Sequence, residues 1–290
     1  HLGKRVDINQ AWKDASLASA TGVLYKPYPG FASVNFSGFN TNSTYHAAQF
    51  TFRRRLARGF FYRFNYVFSK SLDYASQLAQ GGNNGFDGAQ DPRNLALEHG
   101  RSDSDRRHVL NMNYMYEVQR GGKLLKGWQI AGTGTMYSGV GMTPQNSAAN
   151  TDLGDATRPD RIASGELANP TVNSWFDLAA FPIVPKGAYR NGTSGRNIVN
   201  GPGQVSLNAS LMKKFPVRER SYVQFRWEVF NVTNHANFRL PNLDMSSAAA
   251  GTPPLTSASS SSSFSSTDIE LASLLVPNTA RPEQPWFMSH

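Results

Sequence analysis

Apolar and polar residues alternate along several segments of this chain. Between Gly59 and Lys70, every second residue is aromatic, and most of the residues between them are polar. The aromatic residues are Phe60, Tyr62, Phe64, Tyr66 and Phe68. A period of two places the two sets on opposite faces of an extended chain. The pattern therefore predicts a β-strand with one apolar and one polar face.

The alternation recurs in three pairs of segments, each pair joined by a short turn. In the first pair, only Leu56, Ala57 and Arg58 separate the two segments. The pairs are residues 45–55 with 59–70, 107–118 with 128–136, and 205–211 with 223–229. Two alternating segments with so short a connection predict an antiparallel hairpin. We therefore expect six antiparallel strands in this part of the chain.

A soluble β-sandwich would show the same alternation of apolar and polar residues, so alternation alone does not decide the fold class. The lengths of the strands and of their connections give further evidence. Segments of about 11 residues suit a tilted crossing of an outer membrane, and aromatic residues near their ends suit an interfacial girdle. Turns near Ala57, Gly122 and Pro216 alternate with long connections at 73–105, 139–203 and 232–280. Such connections are uncommon in soluble domains, whereas outer-membrane barrels have short periplasmic turns and long extracellular loops. The expected fold is an all-β, antiparallel transmembrane β-barrel.

Composition narrows the classes further. The chain has 290 residues, no cysteine and a formal net charge of +9. Without cysteine there is neither a disulfide framework nor a thiolate metal site, and no run of about 18 apolar residues forms a helical membrane span. Basic residues cluster at the short turns, for example Arg53 to Arg55. This location favours contact with outer-membrane lipid or lipopolysaccharide, and no nucleic-acid-binding motif is present.

Candidate catalytic and metal sites are lacking. The six histidines have no second ligand at a useful spacing. Asp152, Asp155 and Asp160 do not match the spacing of an EF-hand. No Ser-His-Asp, paired-carboxylate or Cys-His arrangement is arguable. We therefore expect no enzyme activity, no cofactor and no metal site.

An ordered set of motifs carries a resemblance to a known family. The motifs are Thr44 to Gln49, Asn65 to Asp73, Asp105 to His108, Gly127 to Gln129, Arg158 to Asp160, Trp175 to Asp177, Ala180-Phe181, Gly195 to Asn197, Gly201 to Gly203, Gln224 to Asn231 and Asn234 to Phe238. In this order and at these spacings, residues 1–245 resemble the C-terminal part of the barrel in Oar-like TonB-dependent receptors of acidobacterial type.

The resemblance implies a barrel of about 22 strands in the bacterial outer membrane, filled by an N-terminal plug. Extracellular loops would capture an unidentified nutrient, and the TonB complex would act through the plug to admit it. The plug is expected to lie outside these 290 residues.

Polar residues on the predicted strands form the candidate site. They are Arg63, Asn65, Asn111, Gln224, Arg226 and Glu228. These side chains should point into the lumen, where charge is tolerated. Two interpretations remain open: hydrogen bonding to the plug or neighbouring strands, and a path for the substrate.

The two ends of the chain predict a fragment. Residues Leu2 to Asn9 look like the tail of a strand already under way. Residues 1–245 are assigned to the barrel, and 246–290 to a Ser-rich loop and an atypical tail, in which Pro282 and Pro285 do not suit a central strand. We expect a partial, open barrel with edges near Leu2 and near Tyr222 or beyond.

Two alternatives to an active-transport receptor remain. A passive outer-membrane porin would have the same strands without a plug or energy coupling. A soluble β-rich adhesin or carbohydrate-binding module would also have strands in which apolar and polar residues alternate.

Overall fold

The long strands follow the alternating segments. The computed structural model describes residues 2–8, 27–31, 34–74, 76, 89–122, 124–146, 158–185, 188, 190–218 and 221–253. The strands are β1 (Leu2–Asp7), β2 (Asn35–Thr41), β3 (Ser43–Ala57), β4 (Phe60–Asp73), β5 (Gly100–Arg101), β6 (His108–Glu117), β7 (Trp128–Tyr137), β8 (Gly141–Met142), β9 (Val199–Asn200), β10 (Gln204–Arg218) and β11 (Ser221–Val229). Short 3-10 helices cover Leu95–Glu98 and Leu178–Ala180. Among the described residues, no helix is long and apolar enough to cross a membrane.

Six long strands form one antiparallel sheet in the order β11-β10-β7-β6-β4-β3, with β5 paired to the end of β4. Each long strand lies beside the next long strand along the chain, so the three predicted hairpins are confirmed. Within the described residues, no ladder joins β3 to β11. The sheet is therefore open, as the sequence predicted.

One predicted edge was wrong. The strand near Leu2 does not border the main sheet, because β1 pairs with β2 in a separate two-stranded sheet. The main sheet ends at β3 on that side. The alternation did not predict β2, because apolar and polar residues do not alternate regularly over positions 35–41 of the sequence.

The turns explain where the hairpins begin and end. Arg58 and Gly59 both have positive φ, 54° and 79°, as a two-residue type I′ turn requires. The third turn comes later than predicted, since Pro216 lies within β10 opposite Tyr222 and the turn itself falls outside the described residues. Pairing of β10 with β7 ends at Lys213. Beyond that point β10 resembles an edge strand, which tolerates a residue without an amide donor.

Register separates two faces of the sheet. One cross-strand row contains Phe52, Phe64, Met112, Gly134 and Leu207. The next row contains Arg53, Arg63, Asn113, Thr133 and Asn208. Paired residues point to the same side, so all predicted apolar positions share one face and all predicted polar positions share the other. We call these the apolar face and the polar face.

Burial is inverted relative to a soluble β-protein. In the described part of the chain, the buried apolar side chains all lie outside the six long strands. Their main cluster consists of Met142, Phe176, Ala180, Phe181, Val199 and Leu243. On the apolar face, by contrast, Phe52 is 65% and Phe50 is 50% exposed. A continuous exposed apolar surface of this kind marks contact with another apolar phase.

The long connections meet at one end of the sheet. We call their described residues, 89–107, 138–203 and 230–253, the loop layer. Gln90 Nε2 donates to Gly192 O at 2.7 Å, which joins the first connection to the second. The backbone N–H of Gln145 donates to Leu243 O at 2.8 Å, which joins the second connection to the third. The predicted grouping is confirmed for these residues, and 254–280 lie outside the described part.

Candidate functional site

The polar face carries the candidate site residues. A second cross-strand row runs beside the Arg53 row and contains Thr51, Asn65, Asn111, Thr135 and Ser206. The two rows place amide and hydroxyl side chains on five neighbouring strands. The result is a hydrogen-bonding surface with few charges.

Three of the six predicted residues lie together on β4 and β6. Asn65 lies directly opposite Asn111 in the ladder. Asn65 Oδ1 accepts hydrogen bonds from Thr51 Oγ1 at 3.2 Å and from Arg63 Nε at 3.4 Å. Strand pairing therefore fixes this first group on one part of the polar face.

The other three predicted residues lie on β11. Arg226 Nη2 and Glu228 Oε1 form an ion pair at 2.5 Å, with side chains 48% and 39% exposed. Gln224 lies opposite Lys214 of β10. Strands β7 and β10 lie between β11 and β6, which separates the two groups by about 14 Å at the usual strand spacing. The six residues therefore form two groups and not one cluster.

A cavity of about 380 Å³ lies on the polar face between these groups. Its polar lining includes Asn113, Thr133, Asn208, Ser210, Arg226 and Glu228. Asn208 Nδ2 donates to Thr133 Oγ1 at 3.4 Å, and Asn208 Oδ1 accepts from the backbone N–H of Asn231 at 3.0 Å. The predicted site residues did not include Asn113, Thr133, Asn208 and Ser210. Their alternating positions in β6, β7 and β10 nevertheless place them on the polar face.

Buried ion pairs hold the loop layer above the sheet. Arg158 Nη2 donates to Glu98 Oε1 at 2.8 Å, and both side chains are almost wholly buried. Burial lowers the pKa of Arg158, the Glu98 carboxylate opposes that change, and nearby Arg196 adds to it. Glu98 Oε1 also accepts from the backbone N–H of Gln90 at 2.8 Å. The pair thus links the first and second long connections.

Arg196 forms a second buried link. Its guanidinium forms an ion pair with Asp73, donates to Asp73 O at 2.8 Å and lies 3.7 Å from an Asp103 carboxylate oxygen. Neighbouring Asn197 donates to Asp103 Oδ1 at 2.6 Å. Arg158, Arg196 and Asn197 belong to motifs that carried the resemblance, but no local pattern in the chain indicated their contacts.

An exposed ion pair stabilises another part of the same layer. Arg190 donates to both carboxylate oxygens of Asp160, at 2.8 and 2.6 Å. The hydrogen bond from Arg190 is the largest cause that lowers the pKa of Asp160. The described residues contain no group of three or more His, Cys, Asp or Glu side chains that could hold a metal ion.

Comparison with known proteins identifies one family. Residues 1–265 match the family model described as "Outer membrane beta barrel domain". Searches of the curated proteins and of the solved structures gave no match.

Proposed function

Since this chain belongs to the outer membrane β-barrel domain family, we propose that it forms part of the wall of a TonB-dependent receptor that takes up a nutrient. The family places the protein in the bacterial outer membrane. Barrels of this kind turn their apolar face to lipid and their polar face to the lumen. The family gives no support to the alternative of a soluble adhesin.

The observation that carries the proposal is the cavity on the polar face. Short amide and hydroxyl side chains and the Arg226–Glu228 ion pair line it, together with small apolar residues and the rings of Tyr114 and Phe230. A narrow barrel would fill its interior with larger side chains, whereas small polar groups suit a wide lumen. In the proposal, Arg63, Asn65, Asn111, Gln224, Arg226 and Glu228 line the substrate path together with Asn113, Thr133, Asn208 and Ser210.

The loop layer supports a receptor function. Its apolar cluster and buried ion pairs hold three long connections in one arrangement. A surface ordered before the ligand arrives loses less conformational entropy on binding. We propose that this layer captures the nutrient and that a plug, driven by the TonB complex, admits it.

Two measurements on the complete gene product distinguish a receptor from a porin. In a planar bilayer, a plugged receptor should show no steady KCl conductance. The same preparation should bind the periplasmic domain of TonB, measured by surface plasmon resonance. A steady open-channel conductance with no TonB binding would contradict the proposal and support the porin.

A further inference from the structure

A second cavity, of about 450 Å³, lies at the loop end of the apolar face. Its floor is the cross-strand row Leu110, Met136 and Val205. Its walls come from the loop layer and include Trp175, His235, Ala236 and Phe238. The cavity therefore lies on the opposite face of the sheet from the proposed substrate path.

Most polar groups around this cavity already bond to protein. Trp175 Nε1 donates to Asn200 O at 2.9 Å, and its ring packs against Phe238 with centroids 6.3 Å apart. His108 Nδ1 and the Tyr66 hydroxyl are 2.8 Å apart. The Gln204 side chain accepts a hydrogen bond from the Tyr137 hydroxyl. What the cavity offers a ligand is therefore mainly aromatic and aliphatic surface.

We propose that this cavity binds the hydrocarbon chain of an outer-membrane lipid. Family membership places the apolar face in lipid, so the strand row that forms the floor of the cavity belongs to the surface that acyl chains cover. Its volume lies in the range of pockets that hold small molecules. An apolar cavity left empty forfeits dispersion contacts, and a chain from the adjoining membrane restores them. The inference is independent of the uptake proposal, because it concerns the lipid-facing side.

A matched pair of substitutions tests the proposal. Ala236→Trp would fill the cavity, whereas Ala48→Trp would add the same side chain to an exposed position of β3 on the apolar face. Protein extracted from outer membranes in mild detergent is analysed by native mass spectrometry. We expect the unmodified protein and A48W to retain lipid, and A236W to lose it.

Three results would overturn the proposal. The A236W variant could retain as much lipid as A48W, the unmodified protein could carry no lipid, or the bound molecule could be an adventitious additive only, such as the detergent.

A measurement without A236W covers the case in which that variant fails to fold. Phospholipid with brominated chains should quench Trp175 fluorescence in vesicles, measured as the difference between the unmodified protein and W175F. Equal quenching in the two proteins would also overturn the proposal.

Discussion

At the scale of single residues, Arg196 links the loop layer to the end of the sheet. It contacts the end of β4 through Asp73 and reaches Glu98 O at 3.1 Å, while only 7% of its surface is exposed. Such a contact fixes geometry, because loss of the arginine would leave the buried Asp73 carboxylate without its opposite charge. The arginine thus connects the transmembrane sheet to the loops.

Arg196→Met should destabilise the loop layer by about 3–5 kcal/mol, because it leaves the buried Asp73 carboxylate, and the partly buried Asp103 carboxylate, without the guanidinium. Arg190→Met removes an exposed pair and should have little effect on stability. Limited trypsin digestion across a temperature series would measure both. Equal melting of the loop layer in the two variants would argue against the assigned role of Arg196.

The pair of Asp160 and Arg190 predicts a pH dependence. The pKa of Asp160 is lowered from its ordinary value of 3.8, chiefly by the hydrogen bond from Arg190. The stabilisation is therefore present above pH 3.8 and is lost as the pH falls through the lower pKa of the folded protein. A carboxyl-carbon NMR titration should give a midpoint below 3.8 for Asp160. The midpoint should move back towards 3.8 in R190M, and an unchanged midpoint would contradict the assignment.

At the scale of elements, the register of β4 makes neighbouring residues differ completely in environment. Phe64 lies in the apolar row, whereas Arg63 lies in the polar row. Spin labels at these two positions in lipid vesicles should respond in opposite ways. The label at Phe64 should be relaxed by oxygen, which partitions into lipid, and the label at Arg63 by a water-soluble nickel complex. Lipid contact at Arg63 would mean that the faces are reversed.

Close packing across β7 gives a second prediction at this scale. A Cβ at Gly132 would lie 2.6 Å from Asn208 O and from the Tyr114 hydroxyl. Gly132→Ala should therefore destabilise the sheet by about 1–3 kcal/mol, as overpacking usually does. Gly122→Ala is the control, since nothing lies within 4 Å of its added Cβ. Urea unfolding in detergent would compare them, and equal midpoints would contradict the packing of Tyr114 across Gly132.

At the scale of the whole molecule, two regions are stabilised by different means. The loop layer has a buried apolar cluster, whereas the sheet has hydrogen-bonded ladders and an apolar face that lipid covers. Two such regions should respond separately to a substitution in one of them.

Phe176→Ala should open the loop layer, because truncation of a fully buried phenylalanine costs about 3–5 kcal/mol. Hydrogen exchange in vesicles should show faster exchange in the loop layer and unchanged protection in β4, β6 and β7. Phe50→Ala, at a half-exposed position of the apolar face, serves as the control and should leave the loop layer protected. Loss of protection in the sheet of F176A would show that the two regions form one cooperative unit.

The hairpins and the two faces of the sheet could be predicted from the order of the residues alone. These follow from a local period of two and from short connections. The exact turn did not follow, since the predicted connection was Leu56 to Arg58, whereas Ala57 pairs with Phe60 and the turn is Arg58-Gly59. The same period identified Arg63, Asn65, Asn111 and the β11 residues as members of one face.

The fold of the long connections, and the set of polar residues that share a cavity, could not be predicted in this way. These connections have no period, and their contacts join residues far apart in the chain, such as Arg196 and Asp73, which are separated by 123 positions. Pairing at such distances depends on where the strands deliver each loop, and a local pattern contains no information about that. The cavities on the two faces arise for the same reason, because residues from β6, β7, β10 and the loop layer meet only after the sheet has formed.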